Sequence, residues 1–128
     1  MQLKLFIIIF IISIPRVLLH AADYNYVKER ALILKDGSQL EKVEAIQELG
    51  RLSSNANFII DDLIFSLRND DSHQVRMEII RALERIGGQA NKTVPALIEA
   101  LGDENWEIRW SAAGALTSFG KKSAMAVP

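Results

Sequence analysis

Of the two histidines, His20 lies inside an apolar leader-like stretch, so His73 is the one histidine left in the body of the chain for acid-base or metal chemistry. It stands in "NDDSHQV", a run of short polar residues that reads as the cap of a helix, where a solvent-exposed histidine is the expectation. A nucleophilic serine or threonine needs a base within hydrogen-bond reach, and one histidine in a cap loop supplies none elsewhere. "GKKS" at 120–123 has the end of a phosphate-binding loop, but that loop needs a glycine five residues before the Gly-Lys pair and Ser or Thr straight after it. Ala115 and Lys122 occupy those places. The acidic pairs Asp61/Asp62 and Asp70/Asp71 lack the alternating spacing and the glycine of a calcium loop, so they read as caps and solvated surface. Without cysteine the chain can form neither disulfides nor thiolate metal sites. Asn91-Lys92-Thr93 is a glycosylation sequon, relevant to an exported eukaryotic chain. No catalytic, metal or cofactor site is expected, and the chain reads as no enzyme.

The side chains left for function are two tryptophans. On a helix of 100° per residue the core arc of Ile108, Ala112, Ala115, Leu116 and Phe119 centres about 40° from Ile108, whereas Trp106 and Trp110 fall near 160° and 200°. Neither points into its own helix pair. They either pack against an adjacent repeat or form an exposed aromatic patch that binds a peptide or a sugar. Lys92 and Glu99, on or beside the next helix back, are secondary candidates for partner contact.

What positions these residues is a repeat. "DDSHQVRMEIIRALERIGGQANKTVP" (70–95) lies over "DENWEIRWSAAGALTSFGKKSAMAVP" (103–128) at an offset of 33, matching Asp70/Asp103, Arg76/Arg109, Gly87/Gly120 and Pro95/Pro128. Such a period is the mark of stacked repeats. A fainter copy, "SQLEKVEAIQELG", aligns at an offset of 37 through Ala45, Ile46, Leu49 and Gly50, which puts Gln39 where the later copies have Arg. Each copy reads as two helices. In the middle copy Val75, Ile79, Ala82, Leu83 and Ile86 share one face, Asn69 to Ser72 offer N-caps, Gly87 closes the first helix, and the second starts near Val94 and Pro95. Gly120 is expected to close its helix as Gly87 does.

"DDSHQVRMEIIRALERIGGQANKTVPALIEAL" resembles a HEAT repeat of the short bacterial type, the kind also found in bilin lyases of the light-harvesting antenna. The resemblance implies an all-α solenoid of stacked helical hairpins whose second helices line the concave side. It also implies that Asp70 or Asp71 bonds Arg76, and Asp103 bonds Arg109, within a copy or to the neighbouring one. The HEAT-like di-iron hydroxylases use repeated His-Glu pairs; here the matching positions hold His73-Gln74 and Trp106-Glu107, so a metal site is not expected. The alternative to a non-catalytic scaffold is a bilin-lyase-like enzyme or enzyme accessory. It would need a longer groove than two to three repeats provide.

Residues 1–22 carry an early Lys4, an apolar run from Leu5 to Ile14 and alanines at 21 and 22, the layout of a signal peptide. Arg16 interrupts the run before the roughly 20 residues a spanning helix needs, which makes a membrane anchor the secondary reading. Of 15 basic side chains the leader holds Lys4 and Arg16, so removing it leaves 13 against 16 acidic ones, a formal charge of −3. That balance offers nucleic acid no electrostatic footprint. The expected organisation is a signal peptide at 1–22, a capping helix at 23–35 and repeats at 36–128, of which 36–68 is degenerate, 69–101 complete and 102–128 truncated. Truncation would leave Ile108, Leu116 and Phe119 without an intrarepeat partner, at about 1.5–3 kcal/mol each. A frayed last helix or self-association through that open repeat is the consequence. The expected protein is exported, periplasmic or secreted, and binds another protein.

Overall fold

The computed structural model describes residues 19–126, and the side chains of 25–52 and 56–122. The expected leader therefore lies outside the described residues up to position 18, as do Val127 and Pro128. Every described element is helical: α1 (Leu19–Asp36), α2 (Gln39–Arg51), a 3-10 segment (Ser53–Ile59), α3 (Ile60–Asn69), α4 (His73–Ile86), α5 (Ala90–Ala100) and α6 (Trp106–Ala126). Among these, none is long and apolar enough to cross a membrane.

The helices form two layers, α2, α4 and α6 in one and α1, α3 and α5 in the other. Polar contacts fix their directions. Tyr26, early in α1, donates to Glu48, late in α2, so that pair is antiparallel. Gln39 donates to Gln74 at matching starts of α2 and α4, so that pair is parallel. Between the layers lies one continuous apolar core, with Ile46, Leu49, Ile60, Leu63, Val75, Ile79, Leu83, Leu97 and Ile108 fully buried.

Local chemistry explains the boundaries. Ser38 and Glu41 form a reciprocal capping box at the start of α2, satisfying two backbone donors that helix geometry leaves unpaired. Ser72 Oγ accepts from the Val75 amide to start α4, and Asn105 Oδ1 accepts from the Glu107 amide to start α6. Gly87 ends α4 in the left-handed conformation, with φ 66°, where a Cβ would be strained.

Four sequence expectations change. The second helix of the middle copy starts at Ala90 rather than near Val94, and Pro95 sits inside it. Buried Thr93, whose hydroxyl donates to the Gly88 carbonyl, and Gln89, whose amide donates to the Asn57 carbonyl, pin this early turn. The carbonyl that Pro95 leaves without a helical donor belongs to Asn91, which is exposed to water. Gly50, which the offset of 37 places on the terminator Gly87, does not end its helix: α2 runs to Arg51, and a Cβ at Gly50 would lie 3.2 Å from the Ala82 Cα, so this glycine lets α2 and α4 approach closely. The caps Ser38 and Ser72 then set the true offset of the first copy at 34, not 37.

Gly120, the third change, carries helical backbone, and α6 continues to Ala126. Gly87 is followed by Gly88, whereas Gly120 is followed by Lys121 and Lys122, good helix formers that extend the hydrogen-bond ladder. Ile108 and Phe119, finally, are buried rather than left open, because α6 packs on both α4 and α5; Leu116 is partly buried in the same contact.

Candidate functional site

Polar side chains joining consecutive copies form a ladder along the loops that lead into α4 and α6. Arg76, on α4, donates from Nε and Nη2 to the two carboxylate oxygens of Asp103 at 3.0 and 3.1 Å. Its Nη1 donates to the main-chain carbonyls of Asp70 and Asp71 at 2.8 and 3.2 Å. Arg76 thus holds its own loop by the backbone and the next loop by the carboxylate. Asp103 Oδ1 also accepts from the Asn105 amide, as Asp70 Oδ1 does from Ser72. Arg109 repeats the local half, with Nη1 donating to the carbonyls of Asp103 and Glu104. The resemblance implies that Asp70 or Asp71 bonds Arg76 and Asp103 bonds Arg109, within a copy or to the neighbouring one. The structure makes the within-copy contacts through carbonyls and gives the Asp70 and Asp103 carboxylates to the preceding copy.

The lower rung was missed in the sequence. Lys42 Nζ donates to Asp70 Oδ2 at 2.7 Å, placing Lys42 where Arg76 stands in the next copy. An alignment anchored on the shared glycines assigned that position to Gln39. The polar cap serines would have found Lys42, since the offset of 34 between Ser38 and Ser72 also relates Lys42 to Arg76.

The secondary contact candidates are tied into the second layer. Lys92 Nζ meets Asp61 at 2.8 Å, and Glu99 forms a fork with Arg68 at 2.7 and 2.9 Å. These pairs lock α5 beside α3 at both ends, which makes the two helices parallel. Hydrogen bonding from Arg68 holds the Glu99 carboxyl below its ordinary range, and Glu99 raises Arg68 in return. An open cleft of about 460 Å³ beside them is lined by Arg68, Asp70, Arg76, Glu99 and Asp103. Within it Arg68 pairs with Glu99 and Arg76 with Asp103, while Asp70 pairs with Lys42. Among the described residues no three His, Cys, Asp or Glu side chains stand together to hold a metal ion, and His73 is exposed at the first turn of α4.

Trp106 and Trp110 occupy the first turns of α6 and are 64% and 74% exposed. Of the two sequence expectations, packing against an adjacent repeat does not occur among the described residues. One turn apart on the same helix, the two indoles stand on one flank, away from Ile108 and Ala112, which face the core. Lys92 and Glu99 are on a different helix, bonded to α3.

The geometry is that of antiparallel helical hairpins stacked at a period of 33 to 34 residues. A family model described as HEAT repeats matches residues 60–127, just over half of the chain. No curated protein matches it.

Proposed function

The chain belongs to the HEAT-repeat family, whose members generally mediate protein-protein interaction, and from that premise we propose a non-catalytic, exported scaffold that binds another protein through the Trp106–Trp110 flank. The observation that carries this reading is the exposure of both indoles. A large aromatic side chain left in water forgoes on the order of 1.5–3 kcal/mol of burial, and tryptophan dominates binding hot spots when a partner covers it. The two-layer core holds α6 on α4 and α5, so the indoles are presented on a rigid element and little ordering entropy is lost on binding. Export rests on the leader-like composition of residues 1–22 and predicts a mature N-terminus near Asp23, read by N-terminal sequencing.

The test of the binding flank has two parts. Iodide should quench the tryptophan fluorescence of the isolated chain nearly as well as it quenches free tryptophan. A partner captured by the full chain from its native compartment should shield that fluorescence and be lost with Trp106→Ser/Trp110→Ser. Strong shielding in the isolated chain, or capture that the double substitution leaves intact, would overturn the proposal.

A further inference from the structure

The contacts that join successive repeats recur at a spacing of 33 to 34 residues, so each can be carried on by one repeat. In the first layer Gln39 donates to Gln74, and the rungs are Lys42–Asp70 and Arg76–Asp103. In the second layer the joints are Asp61–Lys92 and Arg68–Glu99. The forward half of each contact then falls on α5 or α6, and the backward half on α1 or α2. Trp106 takes the place of Gln39, and Leu40 that of Gln74. Arg109 takes the place of the rung cation, and Asp36 that of its carboxylate, two residues before the cap Ser38 as Asp70 stands before Ser72. In the second layer Val94 and Leu101 lie forward, Tyr26 and Ile33 backward.

Each of these pairs is matched, although its members stand at opposite ends of the stack. Trp106 and Leu40 are both apolar and are 64% and 67% exposed. The charged joints of the second layer turn apolar on both sides together. The rung keeps its charges, and both are unused. Nε and Nη2 of Arg109, the atoms with which Arg76 holds a carboxylate, have no partner among the described residues, and neither has the Asp36 carboxylate. The Ser38 amide that Asp36 could cap donates to Glu41 instead. An acid on the last residue of a helix opposes the macrodipole, so Asp36 gains from a cation brought to it.

The backbone agrees. α6 has 21 residues against 14 in α4, and α1 has 18 against 11 in α5, the same excess. α6 overruns at its C-terminal end and α1 mostly at its N-terminal end. Those ends lie side by side wherever a first-layer helix meets the second-layer helix that follows it. Positions covered on α2 and α4 are also bare on α6. Ile46 and Ile80 are buried where Ala113 is exposed, and Val43 is buried and Met77 partly so where Trp110 is exposed.

We propose that the α5–α6 end of one molecule docks on the α1–α2 end of the next, so that a second copy of this chain seats its α1 beside α6 and continues the stack head to tail. The proposal rests on the reading of the Trp106–Trp110 flank as a docking surface, and it names the occupant. Such a joint is heterologous. It leaves Asp36 free on one molecule and Arg109 free on the other, so association runs past the dimer.

The remaining charges of the two faces do not oppose this register. Glu44 and Glu48 on α2 fall opposite Trp110, Ala113 and Thr117, and Arg51, bonded to Glu48, also meets Thr117. Lys121 lies one turn past Thr117, beyond the end of α2. Glu107 holds the position of Gln74 and so faces α4, while Glu104 and Lys122 reach back to Arg76 and Glu84. Lys28 and Lys35 hold the positions of Asp61 and Arg68, which face the following helix of their own chain, and Glu29 that of Pro95. Lys92 and Glu99 are bonded back to α3. Two helices about 10 Å apart, each in contact over about 25 Å, cover on the order of 500 Å² per molecule. That is the low end of specific interfaces, so the association is reversible.

Sedimentation equilibrium of the purified full chain should show its mean mass rising with concentration past twice 14.3 kDa. Over the same range iodide quenching of the tryptophans should fall, from nearly that of free tryptophan at high dilution. Leu40→Ser should weaken association at least tenfold. Asp36→Lys and Arg109→Glu should each weaken it several-fold, because like charges then meet at the joint. Their equimolar mixture should restore it, since an alternating stack sets opposite charges face to face at every joint. Leu40 and Asp36 are exposed, so circular dichroism should hold for those two variants; should Arg109→Glu lose helix, they decide alone. Association that Leu40→Ser and Asp36→Lys leave intact, a mass that levels at the dimer, or a mixture of folded variants no tighter than its components would overturn the proposal. A chain monomeric at every concentration, its tryptophans open to iodide, overturns this inference and leaves the partner-binding flank standing. Tryptophans shielded at high dilution overturn both.

Discussion

Replacing Arg76 by Met keeps the aliphatic stem that lies in the inter-repeat contact and removes only the guanidinium. Five hydrogen bonds depend on that group or its geometry: two to Asp103, two to the Asp70 and Asp71 carbonyls, and the cap donation from Asn105 to a carboxylate that Arg76 orients. Breaking a buried ion pair by removing one partner costs about 3–5 kcal/mol. The Arg76 and Asp103 side chains keep 9% and 14% exposure, and Asp103 retains its amide donor, which lowers the expected cost to about 2–4 kcal/mol. In urea the midpoint should fall by about 1–3 M. Arg68→Met is the control. Its pair is shorter, with a contact of 2.7 Å, but its side chains are 49% and 56% exposed, so solvent screens the pair and its loss should cost much less than that of Arg76→Met. Asp103→Asn completes a double-mutant cycle, in which the two substitutions together should cost less than the sum of each alone. Equal losses for Arg76→Met and Arg68→Met, or strict additivity in the cycle, would refute the claim that burial rather than distance sets the strength of the rung.

The two repeat glycines should respond with opposite signs. Gly87→Ala forces a Cβ into left-handed backbone and should cost about 1–2 kcal/mol, whereas Gly120→Ala, in helical backbone with nothing within 4 Å, should gain about 0.5–1 kcal/mol; thermal melts moving in the same direction would contradict the observed backbone. Tyr26 is held above its ordinary value of 10.0, first by burial and then by its bond to Glu48. The fold therefore favours the neutral phenol. Its contribution is complete below the ordinary value and lost as pH rises through the folded one. Tyr26→Phe should cost about 0.5–1.5 kcal/mol at neutral pH and flatten the alkaline loss; identical pH slopes for both proteins in urea unfolding would disprove it.

The repeat, its helical pairs and the apolar faces were legible because identities at an offset of 33 fall on core and cap positions, where chemistry leaves little choice. Gly87 could be read correctly and Gly50 and Gly120 could not, for a physical reason. A glycine serves equally as a left-handed cap, as a place of close helix approach and as a weak helical residue, and only the neighbours decide which. The charged rungs were half legible. Arg76 and Asp103 stood out as repeated residues, but the carbonyl contacts that fix their geometry leave no mark in side-chain identity. Lys42 was hidden because the shared glycines, at an offset of 37, put Gln39 in the place of Arg76. The tryptophan directions followed from helical angles alone, and their exposure did not, since that depends on what packs beside α6.

The rungs also bear on how the chain finds its order. Copies that resemble one another can pair out of sequence while folding, a characteristic failure of repeat proteins. The successive joints here are chemically unlike: Asp70 meets the single ammonium of Lys42, and Asp103 meets the planar fork of Arg76. A first copy seated against the third would offer Asp103 one donor group where two are matched, and would leave the Arg76 guanidinium without its carboxylate. The difference between a lysine and an arginine thus serves as an address that tells one hairpin from the next.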